Sequence, residues 1–404
     1  MKKGKLHYAW IVCLGGALQI FAVTGLACNV LSVYMPFIRD INGLTNSQTS
    51  LMNTVRTLSG FILSFLTGAI YNKVSLRKGM LLAGLSSTIG YVLFGLAKTY
   101  PVYMAASMFV GIGFGVGAGI PVAVLTGNWF TGSTLAFSIC SAASGLASFG
   151  IPSIITAMIQ KLGLNTAFLI QGCVIFALIF TSFLIIRNVP EEMNLKPYQG
   201  KSAAAAKTTG YRVLSTKDWI ITLAVATMFG ISAGISYGNL GLFSRGKGFT
   251  PEFTAIVISA AGLTMTGGKL LYGFVCGKLG NKRTNFIFGL LMAAGLLMAC
   301  AVSNQILMML AMCIYGIGMG FPTVGMTAWA GDMSDPHTYA KTVRLYNTAY
   351  LLGNLLFSVI PGMIADRCNN SYVPAYLIFA AFTLISWAIV QASYKHIGKV
   401  SSVQ

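Results

Sequence analysis

The chain alternates long apolar runs with short polar breaks along most of its length. Many runs approach the roughly 20 residues that an α-helix needs to cross about 30 Å of hydrocarbon. Charged residues, Pro, Gly and Asn mark the breaks and divide the chain into candidate membrane helices. The pattern predicts twelve spans, at residues 8–37, 48–71, 79–97, 101–127, 135–159, 165–186, 218–243, 252–276, 284–303, 305–330, 343–366 and 372–394.

Composition supports an all-α polytopic membrane protein. Of the 404 residues, 55% are hydrophobic and only 9% are charged, whereas soluble proteins carry about 25% charged residues. A soluble surface would need more polar side chains than this chain has. The start at Met1 resembles a signal peptide, but the first apolar run is too long for one. We therefore interpret that run as the first span.

The net charge of +19 does not indicate nucleic-acid binding, because the basic residues lie in short loops and form no basic domain. With the N-terminus inside, 19 of the 27 Lys and Arg residues fall on the inner side and 6 on the outer side. This asymmetry predicts that both termini face the cytoplasm of an inner (cell) membrane. The eight cysteines form no CxxC or Cys/His cluster, so we predict neither a metal site nor a cofactor.

One long polar connection, residues 188–216, divides the predicted spans six and six. We predict an N-terminal bundle at 1–187, a cytoplasmic linker at 188–216 and a C-terminal bundle at 217–404. Within the linker, Lys201–Lys207 could form a short amphipathic helix or stay flexible. Shifting the chain by 205 or 209 residues aligns matching Gly, Trp and Pro positions of the two halves, which predicts a parallel repeat.

Two similar loops follow the second and eighth spans. They contain Gly68, Asn72, Lys73 and Arg77 in the first half, and Gly273, Gly277, Lys278, Gly280 and Arg283 in the second. The pattern resembles the loop signature of the major facilitator superfamily, which implies that fold and assigns these residues to conformational change. The acidic residue of the signature is replaced by Asn72 and Gly277, so the usual charge-based latch does not carry over. The alternative, that these are only inside-positive loops, leaves the duplication unexplained.

The run of alternate glycines from Gly111 to Gly119 invites comparison with a nucleotide-binding loop. That fingerprint requires a preceding strand in a βαβ unit, whereas this run lies inside a predicted span. Small residues allow helices to approach closely in lipid. We therefore predict helix packing here.

Two cations fall within predicted spans. Lys269 lies about 12 Å from the inner end of helix 8, and Arg56 lies about 24 Å above Asn72 on helix 2. All eight acidic residues fall in loops or at helix ends, so none is placed to neutralise Lys269, and an anionic substrate could do so. Alternatively, either cation snorkels or pairs with helix-end carbonyls. The lack of a predicted intramembrane acid favours exchange or facilitated movement over a carboxylate proton relay.

Further motifs resemble the oxalate:formate antiporter and monocarboxylate transporter branch of that superfamily. They are Tyr8-Ala-Trp10, Tyr34-Met-Pro36, Asn128-Trp129-Phe130, Leu135-Ala136 and Lys269. The resemblance implies that Lys269 meets the substrate carboxylate. By this resemblance, the position of the oxalate carrier's second cation is occupied here by Tyr350, and the positions of its aromatic cage fall near Gly119 and Ser144. A site with one cation and fewer aromatic side chains favours a monocarboxylate over oxalate.

By the same resemblance, helices 1, 4, 7 and 10 line the cavity, with 2, 5, 8 and 11 beside them, and the halves rock about the substrate. The further candidate binding residues, each of which could instead make a helix–helix hydrogen bond, are Asn29, Tyr34, Tyr237, Asn239, Tyr315, Tyr346, Asn347 and Tyr350. Alternatives are a carrier of neutral or cationic solutes and a non-transporting receptor. No constellation of catalytic residues occurs in the spans. We expect a monomeric transporter whose partners are a small organic anion and the lipid bilayer.

Overall fold

A computed structural model describes residues 7–131, 134–199, 216–334 and 339–400. The predicted Lys201–Lys207 segment lies outside these residues. Backbone contacts group the chain into two compact units. Unit 1 comprises Met1–Tyr34 and Met52–Ala204, and unit 2 comprises Met35–Leu51 and Ala205–Gln404.

The first six spans are helical, and three of them are interrupted. Their bounds are α1 at Tyr8–Ile20, Phe21–Asn29 and Leu31–Asn42, α2 at Asn46–Lys73, α3 at Leu76–Leu96, α4 at Tyr100–Gly117 and Gly119–Trp129, α5 at Thr134–Leu146 and Ile151–Leu162, and α6 at Leu164–Ile185. After α6 come a 3₁₀ turn at Pro190–Met193 and the strand Tyr198–Gln199, which pairs in parallel with Phe130–Thr131.

The last six spans follow the same order. Their bounds are α7 at Thr216–Phe229, Gly230–Ile235 and Ser236–Gly238, α8 and α9 within Pro251–Ala301, α10 at Gln305–Gly318, Phe321–Gly325 and Met326–Met333, α11 at Tyr339–Phe357 and Ile360–Arg367, and α12 at Val373–Val400. A short helix, Leu240–Gly246, follows α7.

The boundary between α8 and α9 lies at Gly280, whose φ of 77° interrupts the helical backbone. Counting Pro251–Ala301 as one helix gives 11 helices long and apolar enough to cross a membrane within the described residues. Dividing it at Gly280 gives the twelve predicted spans. The all-helical polytopic fold is therefore confirmed.

Irregular turns interrupt helices α1, α4, α7 and α10 at positions that repeat. The π-helical turn of α1 begins at Phe21 and that of α7 at Gly230, 209 residues later. In α4 the helix breaks at Ala118, whose dihedral angles are φ −93° and ψ −121°. A shift of 205 residues places that break inside the π-helical turn Phe321–Gly325 of α10. The two halves therefore repeat local backbone geometry as well as sequence.

Buried side chains of unit 1 hydrogen-bond the carbonyls at these irregular turns. The hydroxyl of Tyr91 and the amide of Gln171 each donate to the carbonyl of Leu26 over 2.9 Å. The Gln19 amide donates to the carbonyl of Gly117, next to the α4 break, over 3.3 Å. Lipid offers backbone groups no hydrogen bonds, so these side chains make the interruptions tolerable.

In unit 2 a buried side chain also hydrogen-bonds a carbonyl at an irregular turn. The hydroxyl of Tyr376 on α12 donates to the carbonyl of Ser236 on α7 over 2.5 Å. Tyr376 lies 205 residues after Gln171, so the same helix of each half supplies a polar side chain to the irregular helix. The donor differs between the halves, but its task is the same.

The alternate glycines of α4 serve close packing. A Cβ atom added at Gly111 or Gly115 would collide with the carbonyl oxygen of Arg56 or Gly60 on α2. One at Gly113 would collide with the carbonyl oxygen of Ala83 on α3. The packing interpretation is confirmed for these three glycines, whereas a Cβ atom added at Gly119 would meet nothing within 4 Å.

In unit 2, Asp366 at the end of α11 binds the N-terminus of α2. Its carboxylate accepts hydrogen bonds of 2.9 Å from the backbone N–H groups of Asn46 and Ser47 and from the Asn46 side-chain amide, and it also contacts the Ser47 hydroxyl. The first N–H groups of a helix have no intrahelical acceptor and favour a negative charge. Asp366 therefore acts as a helix cap from a distant part of the chain.

We predict that Asp366→Ala lowers the thermal stability of the purified protein in detergent by about 1 kcal/mol, because the α2 N–H groups lose a charged acceptor. Thermal denaturation followed by size-exclusion chromatography measures the effect. Asp40→Ala is the matched control, since within the described part of the chain exposed Asp40 makes only surface ion pairs, with Arg39 and Arg245, and such pairs contribute little to stability. Equal stability of the two variants would contradict the capping role.

Candidate functional site

Lys269 faces away from the lipid-exposed side of α8. The large exposed apolar residues Leu263, Leu270 and Phe274 are 43%, 63% and 62% exposed. At about 100° per residue, they centre roughly 120° around the helix from Lys269. The half-buried Lys269 side chain instead borders the buried face that contains Met265 and Tyr272. The cation therefore does not point into the lipid side of its helix.

Small residues give the Lys269 side of α8 room for another group. Gly262 and Gly273 lie within about 40° of Lys269 around the helix, and a Cβ atom added at Gly273 would meet nothing within 4 Å. The adjacent Gly268 packs against the backbone of Ile317 on α10. No described residue forms an ion pair with Lys269 or hydrogen-bonds its ammonium. Unit 2 thus holds a cation whose charge no described residue compensates.

Arg56 occupies a different environment in unit 1. It lies on the buried side of α2 with Met52 and Asn53, opposite exposed residues such as Ile62 and Phe65. Its Nε atom is buried and has no hydrogen-bond partner among the described residues. The guanidinium lies beside the thiol of Cys28, within the π-helical turn of α1. Arg56 is therefore a second inward-facing cation.

Three of the predicted tyrosines come together in unit 2. The phenol groups of Tyr237 and Tyr350 are close enough to Tyr315 to interact with it electrostatically. Tyr315 is also 2.6 Å from the hydroxyl of Ser236 on α7. Helix α11 approaches α7 closely here, since a Cβ atom at Gly230 would collide with the carbonyl oxygen of Tyr350. This tyrosine cluster joins α7, α10 and α11.

The remaining candidates are dispersed. Tyr346 is fully buried, with its ring 5.3 Å from that of Trp329, and Asn347 is exposed. Asn29 donates to the carbonyl of Ser144 over 3.2 Å. The buried Asn239 donates to the carbonyl of Ile235, but its Oδ1 atom has no partner among the described residues.

The contacts of Tyr34 are those of a core residue. Its side chain is fully buried, stacks on Phe168 at 4.0 Å and donates a 2.6 Å hydrogen bond to Gln171. In unit 2 the residue 209 positions later is Phe243, which stacks on Tyr376 at 3.8 Å and has no hydroxyl. Since the hydroxyl of Tyr34 is already committed to Gln171, we leave Tyr34 out of the proposed site.

The loop-signature residues contact helix ends. The Nε atom of Arg77 donates to the carbonyl of Phe183 over 2.7 Å, and the guanidinium lies 4.1 Å from the centre of the Phe183 ring. Lys278 lies 4.3 Å from the Phe274 ring. Gly68, Gly273 and Gly277 have open space where a Cβ would be. Their role in conformational change stays a prediction.

Asp332, an acidic residue at the end of α10, has a role that the sequence does not reveal. The Asp332 carboxylate accepts hydrogen bonds from the Asn281 amide at 2.7 Å and the Tyr394 hydroxyl at 2.9 Å. These donors come from α9 and α12, 51 and 62 residues away along the chain. No local sequence pattern signals such a contact.

The twelve helices, their repeated interruptions and the inward-facing cations define a polytopic membrane protein built from a duplicated unit. The profile of the Major Facilitator Superfamily matches residues 17–358 and 239–396. The chain belongs to this superfamily. It is therefore a secondary transporter and not an enzyme.

The proteins that are similar to this chain in sequence are named for different substrates. Mouse monocarboxylate transporter 12 is 19% identical over 98% of this chain and 87% of its own length. The oxalate:formate antiporter of Oxalobacter formigenes is 23% identical, covering 82% of this chain and 79% of its own length.

Solved structures agree on the fold. The nucleoside transporter NupG superposes with a TM-score of 0.73 at 14% identity, over 96% of this chain and 100% of its own. The xylose transporter XylE from E. coli gives 0.72 at 13% identity, over 94% and 98%. Identities this low establish the fold and leave the substrate open.

We predict that, with the eight native cysteines replaced, Lys269→Cys reacts with a hydrophilic methanethiosulfonate reagent and Leu270→Cys does not. The reagent needs a thiolate, which forms beside water but not in lipid, and Leu270 lies on the lipid-exposed face. Labelling in proteoliposomes, counted by mass spectrometry, measures the difference. Labelling of Leu270→Cys alone would reverse our assignment of the two faces.

Proposed function

We propose that the chain moves a small organic anion, in particular a monocarboxylate, across the inner membrane by alternating access. The substrate carboxylate pairs with the Lys269 ammonium while the two halves rock about the bound anion. The observation that carries this proposal is the Lys269 side chain, which faces away from lipid and has no acidic partner among the described residues.

The interaction proposed for Lys269 and the substrate is electrostatic. An unpaired charge in a low-dielectric environment is costly, and intramembrane cations normally face a cavity or a partner. A bound carboxylate would offset that cost and hydrogen-bond the ammonium. Arg56, also inward-facing, adds positive potential in unit 1. Two uncompensated cations favour an anion over a neutral or cationic solute.

A single carboxylate fits the tyrosine cluster of unit 2 better than two carboxylates do. Tyr350, the position that the resemblance gives to a second cation, is a phenol beside Tyr315. A phenol donates one hydrogen bond and carries no positive charge. The names of the monocarboxylate transporter and the oxalate:formate antiporter agree with an organic-acid substrate.

Counterflow in proteoliposomes tests the substrate class. Vesicles loaded with unlabelled formate, acetate, lactate, pyruvate or oxalate are diluted into the corresponding radiolabelled acid, and a nucleoside and xylose serve as neutral probes. We expect uptake of at least one monocarboxylate and none of the neutral probes. Transport of neutral probes alone would establish the alternative carrier, and the absence of all counterflow would favour a non-transporting protein.

We predict that Lys269→Ala and Lys269→Glu abolish counterflow while leaving expression and folding intact, because the carboxylate loses its cationic partner. Lys269→Arg should keep part of the activity, since the charge remains but the geometry changes. Initial rates of uptake measure the effect. Lys161→Ala, which removes an exposed cation at the end of α5, is the control, and wild-type transport by Lys269→Ala would exclude Lys269 from the site.

We predict a weaker effect for Arg56→Gln. If Arg56 attracts the anion through its positive electrostatic potential and does not contact it directly, the substitution should weaken binding. The half-saturating substrate concentration should then rise about tenfold, with the maximal rate nearly unchanged. Concentration dependence of counterflow separates the two parameters. A complete loss of transport in folded Arg56→Gln would instead make Arg56 a direct ligand.

A further inference from the structure

Asp332 is a half-buried carboxylate held by neutral hydrogen-bond donors in unit 2. Its Oδ2 atom accepts from Asn281 and Tyr394, while its Oδ1 atom accepts from no described residue. Transferring a carboxylate out of water is costly unless a cation compensates the charge. A carboxylate in this position can remove its own charge by taking up a proton.

The titratable groups that interact with Asp332 are Tyr272 and Cys276 on α8 and Tyr394 on α12, and tyrosine and cysteine side chains are neutral at ordinary pH. Lys282 and Arg283 follow Asn281 along α9, and α11, which packs against this segment of α10, carries Lys341, Arg344 and Tyr346. Among the described residues, none of these cations forms an ion pair with Asp332. Asp335 and His337 lie outside the described residues.

A chain of hydrogen bonds leads from Asp332 toward Lys269. The Tyr272 hydroxyl donates to Asn285 Oδ1 over 2.8 Å, and the Asn285 amide donates to the Tyr394 oxygen over 3.1 Å. The Tyr394 hydroxyl then donates to Asp332. Every donor in this chain points toward the carboxylate, which is the arrangement that an ionised carboxylate requires.

The far end of the chain lies next to the proposed substrate site. Tyr272 follows Lys269 by three residues on α8, so the two side chains are neighbours on the helix surface. While Asp332 is ionised, the O–H of Tyr272 is donated to Asn285. It is then not available to a carboxylate bound at Lys269.

We propose that Asp332 is a proton-binding site that controls whether Tyr272 donates a hydrogen bond to the anion at Lys269. This inference rests on the proposed function for the identity of the bound anion. A proton from water forms an O–H bond on Asp332, and this hydroxyl donates to Tyr394. Tyr394 then donates to Asn285, whose amide turns over and donates to the oxygen of Tyr272. The O–H of Tyr272 is released toward Lys269.

The proton itself stays on Asp332. An amide does not readily pass a proton, so Asn285 transmits hydrogen-bond direction and not charge. Each bond remains a normal donor–acceptor pair in both states. Mild acidification is therefore expected to tighten anion binding by about tenfold, the value of one added hydrogen bond to a charged group.

Two variants should hold the hydrogen-bond chain between Asp332 and Tyr272 in its two opposite directions. Asp332→Asn offers Tyr394 an amide donor, which imitates the protonated carboxyl, and should show tight binding at every pH. Tyr272→Phe has no hydroxyl to release and should show weak binding at every pH. The exposed Asp40→Asn is the matched control and should keep the wild-type pH dependence.

The transport experiment measures the half-saturating concentration for counterflow at neutral and mildly acidic pH, with the fastest-exchanging acid among formate, acetate, lactate, pyruvate and oxalate. The expected result is a pH dependence in the wild type and in Asp40→Asn that is lost in Asp332→Asn and Tyr272→Phe. A pH-independent wild type, or a wild-type response in Asp332→Asn, would overturn the inference.

Infrared difference spectroscopy of the purified protein tests proton binding without any substrate. Acidification should produce a carboxylic-acid C=O band that is absent in Asp332→Asn and present in Asp40→Asn. Tyr394→Phe should move its midpoint to higher pH, since the anion loses a donor. A wild-type band unchanged in Asp332→Asn would refute the proton site. An absent counterflow with an intact Asp332 band would refute only the proposed anion transport.

Discussion

The absence of water from the hydrocarbon core is the constraint on which this structure depends. A helix that departs from regular hydrogen bonding in lipid must find partners for the carbonyls it releases. Tyr91, Gln171 and Gln19 supply those partners in unit 1, and Tyr376 does so in unit 2. The irregular turns of α1, α4 and α7 are tolerated because these buried donors are present. The donors thereby stabilise three mid-span backbone segments outside ordinary helical geometry, where transporters commonly place their binding sites.

The same constraint explains how the intramembrane charges are distributed. Lys269 and Arg56 face inward from α8 and α2, and the described residues offer neither of them an acidic partner. Asp332 is surrounded by neutral donors instead of cations. A protein built only for stability would gain by pairing or removing such groups. The separation of these groups is instead consistent with charges that are balanced by a bound substrate or a bound proton.

The repeat shows which features the fold requires and which are specific to one half. Both halves place an aromatic residue after the irregular turn of their first helix, stacked on the last helix of the half, as Tyr34 on Phe168 and Phe243 on Tyr376. Because Phe243 does this without a hydroxyl, the stacking is the shared requirement. Lys269 has no such counterpart, since the residue 205 positions earlier is Ser64. Features present in one half only are therefore the better candidates for substrate recognition.

The sequence by itself determined the twelve spans, the duplication, the close packing at the α4 glycines and the presence of two cations within spans. Hydropathy, periodicity and residue size are local properties, and lipid leaves few alternatives to a helix. Only the tertiary structure decided which polar side chains already have hydrogen-bond partners within the protein. Tyr34 is committed to Gln171, 137 residues away, and Asp332 gathers partners from two other helices. Such hydrogen bonds depend on the depth and rotation of helices distant along the chain, and neither quantity is encoded in any local pattern.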